Sequence, residues 1–344
     1  MGLQLEEEQL YRKVKSEICR QIYDGVYADG DRIPSERKLS EDLGVSRVTV
    51  RKALQLLEEE RIISRVQGSG TRVSMYYGAR KGDMGIITLV ASAQNEFFSN
   101  FMEAFQNEAE QWDSLVLYKQ KSEKMSMEKC LYQIYEKGLR NVVMWTEQIG
   151  RNEEAFRILK GLGLNLVLFD EVVGGSYADS VCLDNADAVE RLYKKLKQEG
   201  CQNIGYVGWN DNGIGSLRVR EETFRKLEPA GKMQYVPYEY HNRLQFLSTD
   251  LISGIHDSLK ECDGIIYAVG ELGVVFESYA KTQGVVRCAG AVGETAGTKE
   301  QKIYAVAQDY TEMAKQIFRC LQRQNCPEDN WSASSYYIRG CQRF

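Results

Sequence analysis

The sequence predicts an α/β chain in which a small helical unit closed by a β-hairpin leads a much larger body of doubly wound parallel sheet. Three observations predict this. Residues 10–75 place apolar side chains at helical spacing, interrupt them with turn residues and end in a Gly-rich hairpin. From Met84 onward, short apolar runs alternate with amphipathic stretches, the order expected of βαβ units. Those runs are apolar at successive positions, as in strands covered by helices on both faces. At 344 residues the chain is long enough for two or three folded units.

Composition narrows the class. Hydrophobic residues make up 43% and charged residues 27%, ordinary values for a globular chain. The longest apolar runs fall far short of the roughly 20 residues of a membrane span, and Met1–Gln9 is acidic, without the pattern of an export signal. A cytoplasmic protein with no membrane contact is expected. The nine cysteines are scattered, form no CxxC pair and accompany only His241 and His256, so no metal site is expected.

The first helix is expected over Tyr11–Tyr23, with Val14, Ile18 and Ile22 on one face and Gly25 as its stop. Ser35 can cap a second helix running to Leu43, Gly44 supplies the turn, and Ser46 caps a third. In that third helix Val50, Ala53, Leu54 and Leu57 share one side, whereas Val48, Arg51, Lys52 and Gln55 share the other. Strands are expected over Ile62–Val66 and Thr71–Val73, around the glycines of Gln67–Gly70. This is a winged helix-turn-helix. The whole chain carries a net charge of −5, but residues 43–74 hold six Lys or Arg against three acids. A basic outer face on the second helix of such a pair suits the major groove, with Arg47 and Arg51 best placed for base edges and phosphates.

The run PSERKLSEDLGVSRVTVRKALQLLEEERIISRVQGSGT resembles the winged-helix domain of the GntR family over about residues 9–74. The resemblance implies operator DNA contacts at Arg37, Ser46, Arg47, Thr49, Arg51, Gln67 and Gly68. It also implies near-palindromic double-stranded operators bound by a homodimer.

A polar, Gly-interrupted linker is expected over 75–83. Beyond it the strands expected are GIITLVAS, SLVLYK, NVVMWT, LNLVLFD, SVCLDN, NIGYVG, DGIIYAV, VRCAGAVG and KIYAVAQ. Their order, with SLRVREETF and AVAQDYTEMAKQIF, resembles the effector domain of the LacI family, itself related to periplasmic sugar-binding proteins. The resemblance spans residues 84–344 and implies two lobes, 84–182 with 309–331 and 183–305 with 333–344, joined by crossings near 183, 306 and 332. It implies a ligand cleft at the strands' carboxyl ends, lined by Asn95, Phe98, Asp170, Arg220, Asp309 and Tyr310. Carboxylates and a guanidinium can each hold two hydroxyls, and an aromatic face can cover the apolar side of a sugar ring. Each residue also has an ordinary role open to it: Asp170 as a turn cap, Arg220 as a surface partner of Glu221 or Glu222, Phe98 as core.

Two stretches depart from that family. Val269-Gly270-Glu271 and Gly293-Glu294-Thr295 stand where Asn-Asp and Gly-Phe-Asp are usual. Two polar ligand contacts are therefore missing or moved to Glu271 or Glu294. The pairing of the two domains resembles arabinose-utilisation repressors, implying a sugar-responsive repressor of carbohydrate-utilisation genes. Activation, or sensing of a non-sugar metabolite, stays open. A solute-binding protein would share the body but not the basic head. No metal-ligand spacing, nucleophile elbow, P-loop or aminotransferase-type lysine is present, so neither catalysis nor a cofactor is expected.

Overall fold

The computed structural model describes residues 2–343, except 67–69, 92–95, 123, 146–152, 172–175, 211–212, 239–246 and 329–330. The head comprises α1 (Gly2–Tyr23), β1 (Arg32–Ile33), α2 (Glu36–Leu43), α3 (Arg47–Glu59), β2 (Ile63–Val66) and β3 (Gly70–Val73). Ser35 Oγ accepts from the Lys38 amide to start α2, and Ser46 Oγ accepts from the Thr49 amide to start α3. Between them Gly44 adopts φ 65°, the left-handed conformation that ends a helix at little steric cost. Val14, Ile18 and Ile22 of α1 are buried together with Val50, Ala53, Leu54 and Leu57 of α3, in one head core. The sheet order β1-β3-β2 is antiparallel and forms the wing's base.

The body opens with β4 (Ile86–Ala91), α4 (Glu96–Gln111), β5 (Leu115–Gln120), α5 (Met127–Glu136), β6 (Asn141–Trp145), α6 (Glu153–Gly161), β7 (Asn165–Phe169) and β8 (Asp179–Leu183). It continues through α7 (Asn185–Gln198), β9 (Ile204–Asn210), α8 (Gly215–Leu227), β10 (Met233–Pro237), α9 (Thr249–Ser258) and β11 (Gly264–Tyr267). Then come α10 (Gly270–Thr282), β12 (Cys288–Val292), α11 (Ala296–Glu300), β13 (Tyr304–Ala307), α12 (Tyr310–Gln324), β14 (Ser335–Ile338) and β15 (Cys341–Arg343).

These strands form two six-stranded sheets, β14-β8-β7-β6-β4-β5 and β10-β9-β11-β12-β13-β15. Every pairing is parallel except that of β15, an antiparallel edge on the second sheet. The chain leaves the first lobe after β8 and returns to it with α12, where Phe318 packs 5.1 Å from Phe105 of α4. Gln324 fixes this return by donating to the Leu166 carbonyl at 3.1 Å and to Asp179 Oδ2 at 2.9 Å.

The last crossing lies elsewhere than the sequence suggests. Residues 335–338 were expected in the second lobe, yet β14 pairs in parallel with β8 in the first. The crossing is at 339–340, not near 332. Gly340 sits so close to the second sheet that a Cβ there would lie 2.6 Å from Val306 Cγ1 and 2.8 Å from the Ala307 carbonyl. Besides the two-residue β1, three strands of the body, β10, β14 and β15, escape the sequence pattern; all three are edges whose side chains mix polar and apolar types and are largely half-exposed or exposed.

The segment expected as a linker lies against the first lobe. Arg80 donates to the carbonyls of Tyr76 (2.7 Å), Lys160 (3.1 Å) and Gly161 (2.6 Å), and burial pulls its pKa down to about 10. The head touches the same lobe: the Tyr23 and Tyr132 rings stack at 4.1 Å, and the Tyr135 hydroxyl donates to Cys19 Sγ at 3.3 Å. No helix among the described residues is long and apolar enough to cross a membrane.

Candidate nucleic-acid interface and ligand cleft

The outward side of α3 is built from residues the helix core does not use. Arg47, Val48, Arg51, Lys52 and Gln55 are all exposed. Arg51 is held by Glu36 at the start of α2, Nε and Nη2 lying 3.1 and 2.9 Å from Glu36 Oε2. Arg65 of β2 lies beside this pair, 3.7 Å from Glu36, 3.2 Å from Glu58, and donates to the Arg51 carbonyl at 3.3 Å. Glu36 thus ties the start of α2, the middle of α3 and the wing strand into one charged surface. Sequence inspection gave it no role, because the partners lie 15 and 29 positions away.

The residues implied by resemblance divide. Arg37 is exposed, with Nε 3.8 Å from Glu41, and Arg47 is exposed with no carboxylate against it among the described residues. Ser46 is exposed at the helix N-terminus, where free amides and the helix dipole favour a phosphate. Thr49 is buried instead, its Oγ1 2.8 Å from Ser46 Oγ, so it braces the cap rather than facing outward. Gln67 and Gly68 lie outside the described residues.

In the body, Arg220 of α8 is buried and pairs with neither Glu221 nor Glu222. Nε donates to Asn185 Oδ1 at 2.7 Å and Nη1 to the Ala268 carbonyl at 2.6 Å. Asp170, just past β7 in the opposite lobe, interacts electrostatically with this guanidinium. Burial lifts the Asp170 carboxyl to about 6, opposed by Arg220, and its Oδ1 is buried without a partner among the described residues. Asp170 also holds a left-handed φ of 58°, a local strain for a residue with a Cβ. Next to it burial, then Asp170 itself, raises the Glu171 carboxyl to about 8, against the pull of Arg218. Glu171 was not foreseen. Its carboxylate faces Gly215, at the start of α8 in the second lobe.

The remaining cleft candidates behave differently. Phe98 is buried, stacked on Trp145 at 5.5 Å and tilted against Tyr118 at 5.4 Å, so one aromatic cluster spans the ends of three elements. Asp309 spends both oxygens within the chain: Oδ1 caps α12 through the Glu312 amide, and Oδ2 accepts from Cys341 at 3.4 Å. Tyr310 lines a concavity of about 360 Å³ with Asn100 of the first lobe and Glu294, Thr295 and Lys299 of the second. Glu294, in one of the departing stretches, is tied to Arg343 at 3.4 Å. Asn95 lies outside the described residues. Among the described residues no cluster of three metal-binding side chains occurs.

Comparison with known proteins follows this division. Residues 10–73 match the model of the bacterial regulatory proteins of the gntR family. The mannosyl-D-glycerate transport/metabolism system repressor MngR of Escherichia coli K12 is 48% identical over 64 residues, 19% of this chain and 27% of that protein. The histidine utilization repressor of Klebsiella aerogenes is 45% identical over 64 residues, again 19% and 27%. The chain thus spans about a quarter of these relatives, the head alone.

The body is matched by solved structures. A Cra transcriptional dual regulator from Pseudomonas putida, in complex with fructose 1-phosphate, superposes with a TM-score of 0.60 at 14% identity, covering 76% of this chain and 98% of that one. A LacI family regulator from Enterococcus faecium with bound ribose gives 0.59 at 16%, covering 75% and 97%. At such identities the likeness is one of fold. Residues 10–73 are therefore a gntR-family helix-turn-helix domain, joined to an α/β body with the two-lobed fold of LacI-type regulators.

Proposed function

We propose that this chain is a ligand-responsive transcriptional regulator acting in the cytoplasm, a repressor of carbohydrate-utilisation genes released from double-stranded operator DNA by a sugar-like effector. The observation that carries the proposal is a division of charge within one chain. Cations stand exposed on α3, while the buried Arg220 and the half-buried Asp170, its Oδ1 enclosed, face each other across a cleft between lobes. The first arrangement suits an anionic duplex met from solvent. The second suits a neutral, hydroxyl-bearing molecule whose donors would satisfy the orphaned Asp170 oxygen.

The sugar class is supported by the ribose and fructose 1-phosphate held by structures of the same fold. Repression is supported by relatives of the head. Asp170 and Glu171 serve as ligand-holding groups in this proposal, and the chain is no enzyme. For DNA-contacting residues we propose Arg37, Ser46, Arg47 and Arg51 together with Gln67 and Gly68 of the wing turn. Thr49 contributes through the cap. For the effector we propose Asp170, Glu171, Arg220 and Tyr310, together with Phe98 and with Asn95, which lies outside the described residues.

Ligand that binds one lobe arrangement more tightly shifts the chain toward it. Because the head and Arg80 rest on the first lobe, lobe rotation would carry the head with it. A homodimer would turn that rotation into a changed spacing of two α3 helices. Its interface is supported by Leu115, 72% exposed, and Leu117 on the edge strand β5 of the first sheet, with Ile86 of β4 paired beside Leu115. To test the proposal, duplexes selected from a randomised library are titrated with wild type and with Arg47→Ala, and pentoses, hexoses and their phosphates are screened by thermal shift. A selected duplex lost to Arg47→Ala, with an unchanged ligand shift, supports it. Failure of wild type to select any duplex defeats it.

A further inference from the structure

Between the cations of α3 stands one side chain of the opposite character. Val48, in the first turn, is 62% exposed, and at three- and four-residue spacing it shares a helix face with Arg51 and Lys52. Nothing in the head core calls for it, since Val50, Ala53, Leu54 and Leu57 already fill the buried side. A β-branched residue is not a strong helix former and gains nothing from water. Single exposed apolar residues are common on proteins, and Val26 is as exposed as Val48. Val26, however, lies in the turn after α1, whereas Val48 projects from the turn that enters a groove first.

The chemistry available there is limited. An isopropyl group makes no hydrogen bond, so it cannot read a base by donors and acceptors. It can lie against the one apolar group that the major groove displays, the 5-methyl of thymine. Stiffness at χ1 suits this task, because a branched side chain in a helix has essentially one rotamer and loses little freedom on contact. Its neighbours set the context. Arg47 and Arg51 bracket it and can take guanines or phosphates, and Glu36 fixes the Arg51 fork in place.

We infer that Val48 is a specificity-determining residue that reads a thymine methyl in each operator half-site, beside the positions met by Arg47 and Arg51. The inference rests on the DNA-binding proposal and adds a base preference to it.

The experiment uses the full chain and a duplex selected from a randomised library. Each thymine of the selected duplex is replaced in turn by deoxyuridine, which removes the methyl and leaves the pairing edge intact, and affinities are measured by fluorescence anisotropy. At one thymine per half-site, wild type should lose about fivefold. Val48→Ala should bind the parent duplex about fivefold more weakly and show no further loss with deoxyuridine at that site. Val48→Thr, which keeps one methyl in the same place, should retain part of the discrimination. Circular dichroism of each variant establishes that α3 is intact. The inference is overturned if no thymine methyl affects wild type, or if the methyl effect persists in Val48→Ala. If no duplex is selected at all, the DNA-binding proposal falls and takes the inference with it.

Discussion

The head and the cleft use the same residue types in opposite physical settings. On α2 and α3, arginines are exposed and pair with carboxylates at the surface, Arg51 with Glu36 and Arg37 with Glu41. In the cleft, Arg220 is buried, bonded to neutral oxygens and faced by a carboxylate whose pKa has risen to about 6. A surface ion pair is worth little and exchanges readily for phosphate. A buried charge is costly to strand and selects its partner closely. The head is thus suited to a partner of fixed charge and the cleft to one of matched hydrogen-bonding shape.

Substitutions can break this contrast. The largest effect should come from Arg220→Ala, which strands the Asn185 and Ala268 oxygens and leaves Asp170 without its cation. A loss of about 3–5 kcal/mol in urea unfolding is expected, and a loss below about 1 kcal/mol would mean the group is solvated. Arg47→Ala should leave the melting temperature unchanged and lower affinity for the selected duplex at least tenfold. A drop in melting temperature without a drop in affinity would reverse the contrast.

A pH effect sharpens it. The Glu171 carboxyl rises from 4.5 to about 8 in the fold. Such a group costs nothing below its unfolded value, and its cost grows as pH rises toward the folded value. Wild type and Glu171→Gln should therefore melt alike near pH 4.5, and the variant should melt higher by a few degrees near pH 8. A difference greatest at low pH would contradict the assignment. The smallest effect is expected from Glu36→Gln, which frees the Arg51 fork. Affinity for the duplex should fall about two- to fivefold with thermal stability unaltered, and a gain would show that Glu36 competes with DNA instead of aiming Arg51.

The same contrast governs what the sequence disclosed. In the head, caps, turn and faces are set by residues a few positions apart, so Ser35, Gly44, Ser46 and the buried side of α3 were legible directly. The misjudged position, Thr49, lies on the boundary between the two faces, where a one-residue change of angle decides exposure. In the cleft, Asp170 and Arg220 meet from elements 50 residues apart, and only the resemblance to a known fold brought them together. Glu171 stayed hidden because its shift comes first from burial, which depends on how the chain folds around it, and then from Asp170. Asp309 was read as a ligand contact, and its neighbour Cys341, on an edge strand with no apolar pattern, is one reason its carboxylate is occupied. The α/β alternation revealed the interior strands and the apolar edge strand β5, while pairing alone revealed β1, β10, β14 and β15.

The central claim is that the two regions are coupled. It is tested most directly by titrating the selected duplex with the full chain, with and without a saturating amount of the sugar found by thermal shift. Affinity about tenfold weaker in the sugar's presence is the predicted result. Identical affinities would contradict it, because a ligand that leaves the head's affinity unchanged does not control it.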